Sequence, residues 1–172
     1  MRLVERTPEV DLDRLLQGFV PPPRFLGATF QTYRPDPRYP SQALAKERLR
    51  RWVHDRPRGF LRPRLPGPQG IYLDGGFGVG KTHLLVAAYL EAPSPKAFLT
   101  FEELTYALGL LGLREGARRF SGLRYLFLDE FDVIAKLRGD SQELGELKRV
   151  VNSFIQNLDN VGNQSIVVAA TN

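Results

Sequence analysis

Cysteine is absent from the 172-residue sequence, and histidine occurs only at His54 and His83. These absences exclude a disulfide framework, a cysteine-based zinc site and a histidine-rich metal site. Long apolar runs are also absent, because the most apolar stretch, Leu104 to Leu113, is too short to span a bilayer. The first residues include acidic side chains and lack the apolar core of a secretory signal. We therefore expect a cytoplasmic protein with no membrane span.

Charge and proline are distributed unevenly along the chain. Residues 1–70 hold 14 Lys+Arg and 7 Asp+Glu, whereas residues 71–172 hold 10 and 12. Of the 13 prolines, 11 lie in the first 70 residues. Hydrophobic residues make up 42% of the chain and charged residues 25%, as in ordinary globular proteins. We predict a basic, proline-rich N-terminal extension with two short helices over residues 1–69 and a folded core over residues 70–172.

Short apolar runs alternate with helical patterns in the second part. Strands are predicted at residues 70–74, 96–100, 124–129 and 165–170. Helices are predicted at residues 81–90, 100–112 and 140–158, and one helix of the extension at residues 41–54. The helix after the second strand begins with a capping box, Thr100 to Glu103. Strands separated by helices predict an α/β fold, a parallel sheet with helices on both faces.

The strongest motif follows the first predicted strand. Residues 75–82 read Gly-Gly-Phe-Gly-Val-Gly-Lys-Thr and match the pattern G-x-x-x-x-G-K-[ST] without a mismatch. Glycines let the backbone wrap an anion with its amide groups, and the N-terminus of the following helix favours phosphate. The motif therefore predicts an ATP-binding loop, in which Lys81 reaches the β- and γ-phosphates. The predicted nucleotide-binding residues are Gly75, Gly76, Phe77, Gly78, Val79, Gly80, Lys81, Thr82 and His83.

A second motif ends the third predicted strand, where four apolar residues precede Asp129 and Glu130. Ligands of open α/β sheets bind at the carboxyl ends of the strands. We predict that Thr82 and Asp129 bind Mg²⁺ and that Glu130, a catalytic residue with Lys81, polarises the attacking water. A strand that simply ends in acidic residues is the alternative.

Two further residues at the site carry open alternatives. Asn172 follows the last predicted strand, and we predict that it orients the water or the γ-phosphate, although asparagine also often begins a loop. His83 is a single imidazole on a helix and fits a structural role as well as a place at the nucleotide.

These motifs, in this order, resemble those of the AAA+ class of P-loop ATPases. More narrowly, residues 22–131 resemble the ZapE-like, division-associated ATPases. The matching stretches are 30–37, 40–42, 70–85, 98–105 and 128–131. The resemblance implies a three-layer αβα P-loop NTPase fold, ATP hydrolysis with Mg²⁺, self-association into a ring and action on the FtsZ division machinery.

The last part of the chain has a different resemblance. Residues 129–172 resemble the AAA ATPases in the narrow sense, so the resemblance changes near Phe131. The AAA+ class implies a further strand beside the phosphate-loop strand and a helical lid, both placed after Asn172. We therefore expect an incomplete AAA+ core that lacks the lid arginine and the trans-acting arginine. Such a chain is expected to bind nucleotide with weak or absent turnover.

A basic stretch supports an alternative function. Residues 46–64 hold eight basic and two acidic residues, with Trp52 and Phe60 between them. This composition fits a nucleic-acid backbone as well as a solvated helix face. The alternative is a nucleotide-switched, DNA-binding protein of the helicase-loader or initiator type. Phe30 and Tyr33 each have two possible roles, either in an adenine pocket or in ordinary core packing.

Overall fold

The computed structural model describes residue 14, residues 17–55 and 70–130, residues 149 and 153, and the backbone of residues 166–170. A short 3₁₀ turn at Pro23–Phe25 precedes the first complete helix. The elements follow in the order α1 (Pro40–His54), β1 (Ile71–Leu73), α2 (Lys81–Glu91), β2 (Lys96–Thr100), α3 (Phe101–Leu111), α4 (Leu113–Phe120), β3 (Tyr125–Asp129) and β4 (Ile166–Ala170).

Strands β1 to β4 form one sheet with the spatial order β1-β4-β3-β2. All three pairings are parallel, and β4 lies between β1 and β3. In this register Leu73 at the end of β1 lies opposite Ala170, and Thr100 lies opposite Asp129. The carboxyl ends of β1 and β3 therefore lie at the same edge of the sheet, one strand apart. The parallel α/β fold predicted from the sequence is confirmed.

One face of the sheet, here called the α1–α2 face, is rich in aromatic side chains. Tyr89 of α2 packs edge-on against Phe98 and Phe127, with ring centroids 5.9 and 5.7 Å apart. Trp52 of α1 packs edge-on against Tyr125 at 5.9 Å. Such edge-to-face pairs add to the stabilisation that burial of the rings provides. The other buried residues here are Ala28, Phe30, Tyr33, Leu49, Val53, Leu73, Leu84, Leu85, Val86, Ala87, Ala88 and Ala92.

The opposite face, here called the α3–α4 face, is mostly aliphatic. Strand residues alternate between the two faces, as the pleat of a β-strand requires. Its buried side chains are Phe19, Ala97, Leu99, Leu104, Ala107, Leu108, Ala117, Phe120, Leu126 and Leu128. Helices on both faces of the sheet give the three layers that the sequence predicts.

Residues before Gly70 contribute to both layers of the core. Phe30 and Leu49 are each 1% exposed on the α1–α2 face, and Phe19 lies in the cluster on the opposite face. The predicted domain division at residue 70 stays a prediction. In the described structure, however, parts of the N-terminal extension pack directly against the sheet.

Helix α3 has the predicted N-terminal cap. Thr100 Oγ1 accepts from the Glu103 amide at 3.2 Å, and Glu103 Oε2 accepts from the Thr100 amide at 2.7 Å. Helix α4 was not predicted. Gly112, with φ of 74°, separates it from α3, and Glu115 accepts hydrogen bonds from Arg118 and Arg119 within it.

Some predictions fall outside the described residues. The predicted helix at residues 140–158 does so except for residues 149 and 153, whose backbone is helical. The other helix predicted in the extension, which begins near Pro8 and ends at Gly18, also lies mostly outside. Within the described part of the chain, no helix has the length and apolar character that crossing a bilayer requires.

Candidate nucleotide-binding site

The predicted phosphate loop joins β1 to α2. The chain turns through positive φ at Gly78 and Gly80, with values of 74° and 86°. Residues other than glycine rarely adopt such φ values, and at Gly80 there is also no space for a side chain. A Cβ atom added to Gly80 would lie 2.6 Å from Cε2 of Tyr33. The loop conformation therefore depends on glycine at the residue that precedes Lys81.

Lys81 is the first residue of α2, and only 7% of it is exposed. Its Nζ donates hydrogen bonds to the carbonyl oxygens of Gly75 at 2.8 Å and Gly76 at 2.6 Å. The ammonium group thus lies inside the loop, held by backbone oxygens. An ammonium group carries three donors and no acceptor, so phosphate oxygens are suitable replacements for these carbonyls.

Thr82 and Asp129 come from different elements and meet beside the loop. The Thr82 hydroxyl donates to Asp129 Oδ1 at 3.2 Å, although the two residues lie 47 positions apart in the chain. Asp129 is 9% exposed at the end of β3. A hydroxyl and a carboxylate oxygen suit Mg²⁺, which prefers oxygen ligands and normally keeps several waters and substrate phosphates. This pair therefore fits the predicted metal site.

Glu130 has an unusual backbone conformation, with φ of 55°. A residue other than glycine in this region is strained, by about 1–3 kcal/mol, and such residues often occur at functional sites. The Glu130 amide donates to Asp129 Oδ1 at 3.1 Å, which offsets part of the strain. The chain thus turns sharply where β3 ends, next to the Thr82–Asp129 pair.

The segment of residues 29–33, here called the brace, contacts the loop from the N-terminal side. Tyr33 donates its phenol hydrogen bond to the Val79 carbonyl at 2.8 Å. His83 Nε2 lies 2.9 Å from the Thr29 carbonyl and 3.2 Å from Thr32 Oγ1. The rings of Tyr33 and His83 meet edge to face, with centroids 5.4 Å apart. Burial raises the pKa of Tyr33 above its ordinary value, so the phenol stays protonated.

The structure brings together four of the predicted site residues: Lys81, Thr82, Asp129 and Glu130. Phe77 is 76% exposed in the loop. The imidazole of His83 contacts the brace, which favours the structural alternative for that residue. Asn172 lies outside the described residues.

The contacts of the brace with the phosphate loop are not apparent in the sequence. Phe30 and Tyr33 are 1% and 6% exposed, which favours core packing. The hydrogen bond from Tyr33 to Val79 was not predicted, because the two residues are 46 positions apart and no periodic pattern links them.

Comparison with known proteins identifies the family. A family model described as AFG1-like ATPase matches residues 9–147, which include the phosphate loop and Glu130. The chain belongs to the AFG1-like ATPase family. The AAA+ resemblance is therefore confirmed. In AAA+ ATPases, the use of nucleotide and Mg²⁺ is a general property of the class.

Curated relatives include longer proteins. The ATP-dependent zinc metalloprotease FtsH 3 of Sphaerobacter thermophilus is 33% identical over 123 residues, which are 67% of this chain and 25% of that protein. Protein SAV of Sulfolobus acidocaldarius is 32% identical over 74% of this chain and 18% of its own length. An uncharacterised AAA family ATPase of Sinorhizobium fredii, y4kL, is 51% identical over 27% of this chain and 14% of its own length. The chain spans a quarter or less of these relatives.

Solved structures show the same fold at low sequence identity. AMPPCP-bound DnaA from Aquifex aeolicus matches 86% of this chain and 42% of its own, with a TM-score of 0.60 and 18% identity. Domain III of DnaA from Thermotoga maritima matches 88% of this chain and 57% of its own, with a TM-score of 0.55 and 17% identity. These likenesses confirm the P-loop NTPase fold and nothing more specific.

Proposed function

We propose that this chain binds Mg²⁺–ATP at residues 75–83 and hydrolyses it with Glu130 as the catalytic carboxylate, at a low turnover rate for residues 1–172 alone. One observation carries the proposal: the Thr82 hydroxyl and the Asp129 carboxylate lie 3.2 Å apart beside the buried Lys81. Helix α2, which follows β1, supplies Lys81 and Thr82, and β3 supplies Asp129. The three residues lie at the carboxyl edge of the sheet, where ligands of this fold class bind. The family assignment supports the ATPase class independently.

Each side chain has a separate role in the proposed reaction. Lys81 exchanges the carbonyls of Gly75 and Gly76 for β- and γ-phosphate oxygens and neutralises their charge. Thr82 and Asp129 would hold Mg²⁺, which supplies further charge neutralisation. Glu130 accepts a proton from the attacking water.

Asn172, at the end of the segment that follows β4, is proposed to orient that water or the γ-phosphate. This role follows from the predicted position of Asn172 after a strand that lies between β1 and β3.

The experiment separates binding from chemistry. Glu130→Gln should bind Mg²⁺–ATP as the wild type does, because it keeps the size of the side chain. Its single-turnover hydrolysis should fall about a hundredfold or more, the usual contribution of a general base. Glu102→Gln, at an exposed position on α3, is the matched control and should hydrolyse at the wild-type rate. Wild-type hydrolysis by Glu130→Gln would contradict the assignment.

We propose further that hydrolysis drives remodelling of a protein partner by a self-associated ring. The resemblance of residues 22–131 to division-associated ATPases supports the FtsZ machinery as the partner. In sedimentation experiments, Glu130→Gln with ATP should form larger assemblies than without ATP and should co-sediment with FtsZ polymers. A protein that stays monomeric with ATP, or that stays in the supernatant when FtsZ polymers sediment, would contradict this part of the proposal.

Nucleic-acid binding is the second candidate function, and exposed arginines favour it. Arg48, Arg50 and Arg51 are exposed on α1. If they contact a phosphate backbone, binding should fall steeply with salt, and Arg50→Gln/Arg51→Gln should reduce the salt dependence. Arg114→Gln, an exposed arginine on α4, is the matched control. Binding that is absent at low salt would exclude this function for the chain.

A further inference from the structure

The brace contacts the phosphate loop at two points that lie on either side of Gly80, Lys81 and Thr82. On one side, the Tyr33 hydroxyl binds the carbonyl of Val79, the residue before Gly80. On the other side, His83, the residue after Thr82, binds the Thr29 carbonyl. The three residues on which the proposed phosphate and metal contacts depend are therefore held at both ends by a segment about 50 positions earlier in the chain.

The hydrogen bond from Tyr33 to the Val79 carbonyl also fixes the orientation of the Gly80 amide. A peptide group is planar and almost always trans, so its C=O and N–H point in opposite directions. The carbonyl of Val79 and the amide of Gly80 belong to one peptide group. Because that carbonyl points to the Tyr33 hydroxyl, the Gly80 amide points away from Tyr33. Gly80 lies at the N-terminus of α2, where free amides bind phosphate.

The ring of Tyr33 has little freedom to move. It is 6% exposed and packs in the same core cluster as Phe30. The Tyr33 carbonyl accepts a hydrogen bond from Lys46 Nζ of α1 at 3.4 Å. The ring lies so close to Gly80 that a Cβ atom there would overlap with it. The hydroxyl is thus presented to the loop from a rigid part of the core.

We propose that Tyr33 is a positioning residue for the phosphate loop. Its hydroxyl holds the Val79–Gly80 peptide so that the Gly80 amide faces the phosphates before they arrive, and His83 holds the far end of the turn. Donors that are already oriented need no reorganisation when the ligand binds, which strengthens binding. This inference rests on the proposed ATP site and adds to it a group that touches neither nucleotide nor metal.

The test removes the hydroxyl alone. Tyr33→Phe is titrated with Mg²⁺–ATP and with Mg²⁺–tripolyphosphate, an inorganic ligand without a base or a sugar. Both affinities should fall about threefold to tenfold, the effect of one neutral hydrogen bond. Tyr106→Phe removes the same atom from an exposed tyrosine of α3 and should bind both ligands as the wild type does.

A second pair of variants tests the other contact. His83→Ala removes the hydrogen bond to the Thr29 carbonyl and should also lower the affinity for both ligands. His83→Gln keeps a donor at a similar reach and should restore most of that affinity. This pair keeps the inference testable if Tyr33→Phe does not fold. All titrations are made well below the thermal unfolding of each variant, so that a loss of stability alone leaves the affinity unchanged.

The outcomes are distinct. Affinities within twofold of wild type for both Tyr33→Phe and His83→Ala would overturn the positioning role. A lower affinity for ATP with unchanged binding of tripolyphosphate would also overturn the positioning role, because this result would indicate a contact with the nucleoside. A wild-type protein that binds neither ligand, or a Lys81→Ala variant that binds both as well as the wild type does, would overturn the proposed site itself and the positioning role with it.

Discussion

The two faces of the sheet are stabilised in different ways. On the α1–α2 face, polar contacts join distant parts of the chain: Tyr33 to Val79 across 46 positions and His83 to Thr29 across 54. On the α3–α4 face, side-chain contacts such as that of Glu115 with Arg118, three positions away, join neighbours within one helix. The first face therefore connects the phosphate loop to the core, whereas the second stabilises its own helices. Substitutions at the loop contacts of the first face should change nucleotide affinity, whereas substitutions on the second face should change stability alone.

The largest effect is expected for Lys81→Ala. The two charge-assisted hydrogen bonds of this ammonium group would pass to phosphate oxygens, so ATP affinity should fall about a hundredfold. Lys96→Ala removes an ammonium group that donates to carbonyls at the C-terminus of α2, the end of the helix away from the phosphate loop. It should lower stability and leave affinity unchanged. Calorimetric titration and thermal unfolding of both variants would sharpen the comparison, and equal affinity losses would contradict it.

Two glycines, one on each face, give the next largest effects. Gly80→Ala places a Cβ atom against Tyr33 and requires a strained φ, so stability should fall by about 1–3 kcal/mol and ATP affinity should fall as well. Gly116→Ala places a Cβ atom 2.5 Å from Leu108 Cδ2, the end of a flexible side chain. The buried Leu108 must shift, but alanine is also the better helix former inside α4. The loss of stability should therefore be smaller than in Gly80→Ala, and affinity should be unchanged. Denaturant unfolding and titration measure both quantities, and a loss of affinity in Gly116→Ala would break the distinction.

A smaller effect is expected at the cap of α3. Thr100→Ala removes the acceptor for the Glu103 amide and should lower the free energy of unfolding by about 1 kcal/mol. Because this cap lies on the α3–α4 face, ATP affinity should stay at the wild-type value. Urea unfolding of Thr100→Ala beside Thr105→Ala, a neighbour outside the cap, provides the measurement. An unchanged midpoint in Thr100→Ala would show that the cap contributes nothing.

The smallest effect depends on pH. Hydrogen bonds from Arg118 and then Arg119 lower the pKa of Glu115 from 4.5 to about 2. A carboxyl with a lowered pKa stabilises the folded state above its unfolded pKa, and this contribution is lost as the pH falls through the folded pKa. The wild type should therefore exceed Glu115→Gln in Tm near pH 7, by a small margin since the pair is exposed, and the difference should vanish between pH 4.5 and 2. A difference that stays constant across this range would contradict the assignment.

Features that depend on neighbouring residues could be predicted from the sequence, whereas contacts between distant segments mostly could not. The capping box of α3 and the phosphate loop are local patterns, so their residue types and spacing determine them. The neighbourhood of Thr82 and Asp129 was also predictable, because the carboxyl ends of parallel strands share one edge. Helix α4 was missed because Gly112 closes the preceding helix and eight residues carry little periodic signal.

The brace was beyond sequence reasoning for a different reason. Tyr33 and Phe30 fit both a nucleotide pocket and the core, and only the packing of α1 and α2 decides between them. The hydrogen bond of Tyr33 to Val79 depends on where two segments 46 positions apart meet in space. Neither the residue types nor the spacing within the two segments predicts this contact.

The most direct test of the central claim is the Mg²⁺ dependence of ATP binding. We expect calorimetric titration to show that the wild type binds ATP more tightly with Mg²⁺ than with a chelator. Asp129→Asn keeps an oxygen near the Thr82 hydroxyl but loses the negative charge, so it should bind ATP with the same affinity in both conditions. A wild-type protein that does not bind ATP, or an Asp129→Asn variant with the full Mg²⁺ dependence, would contradict the account of the site.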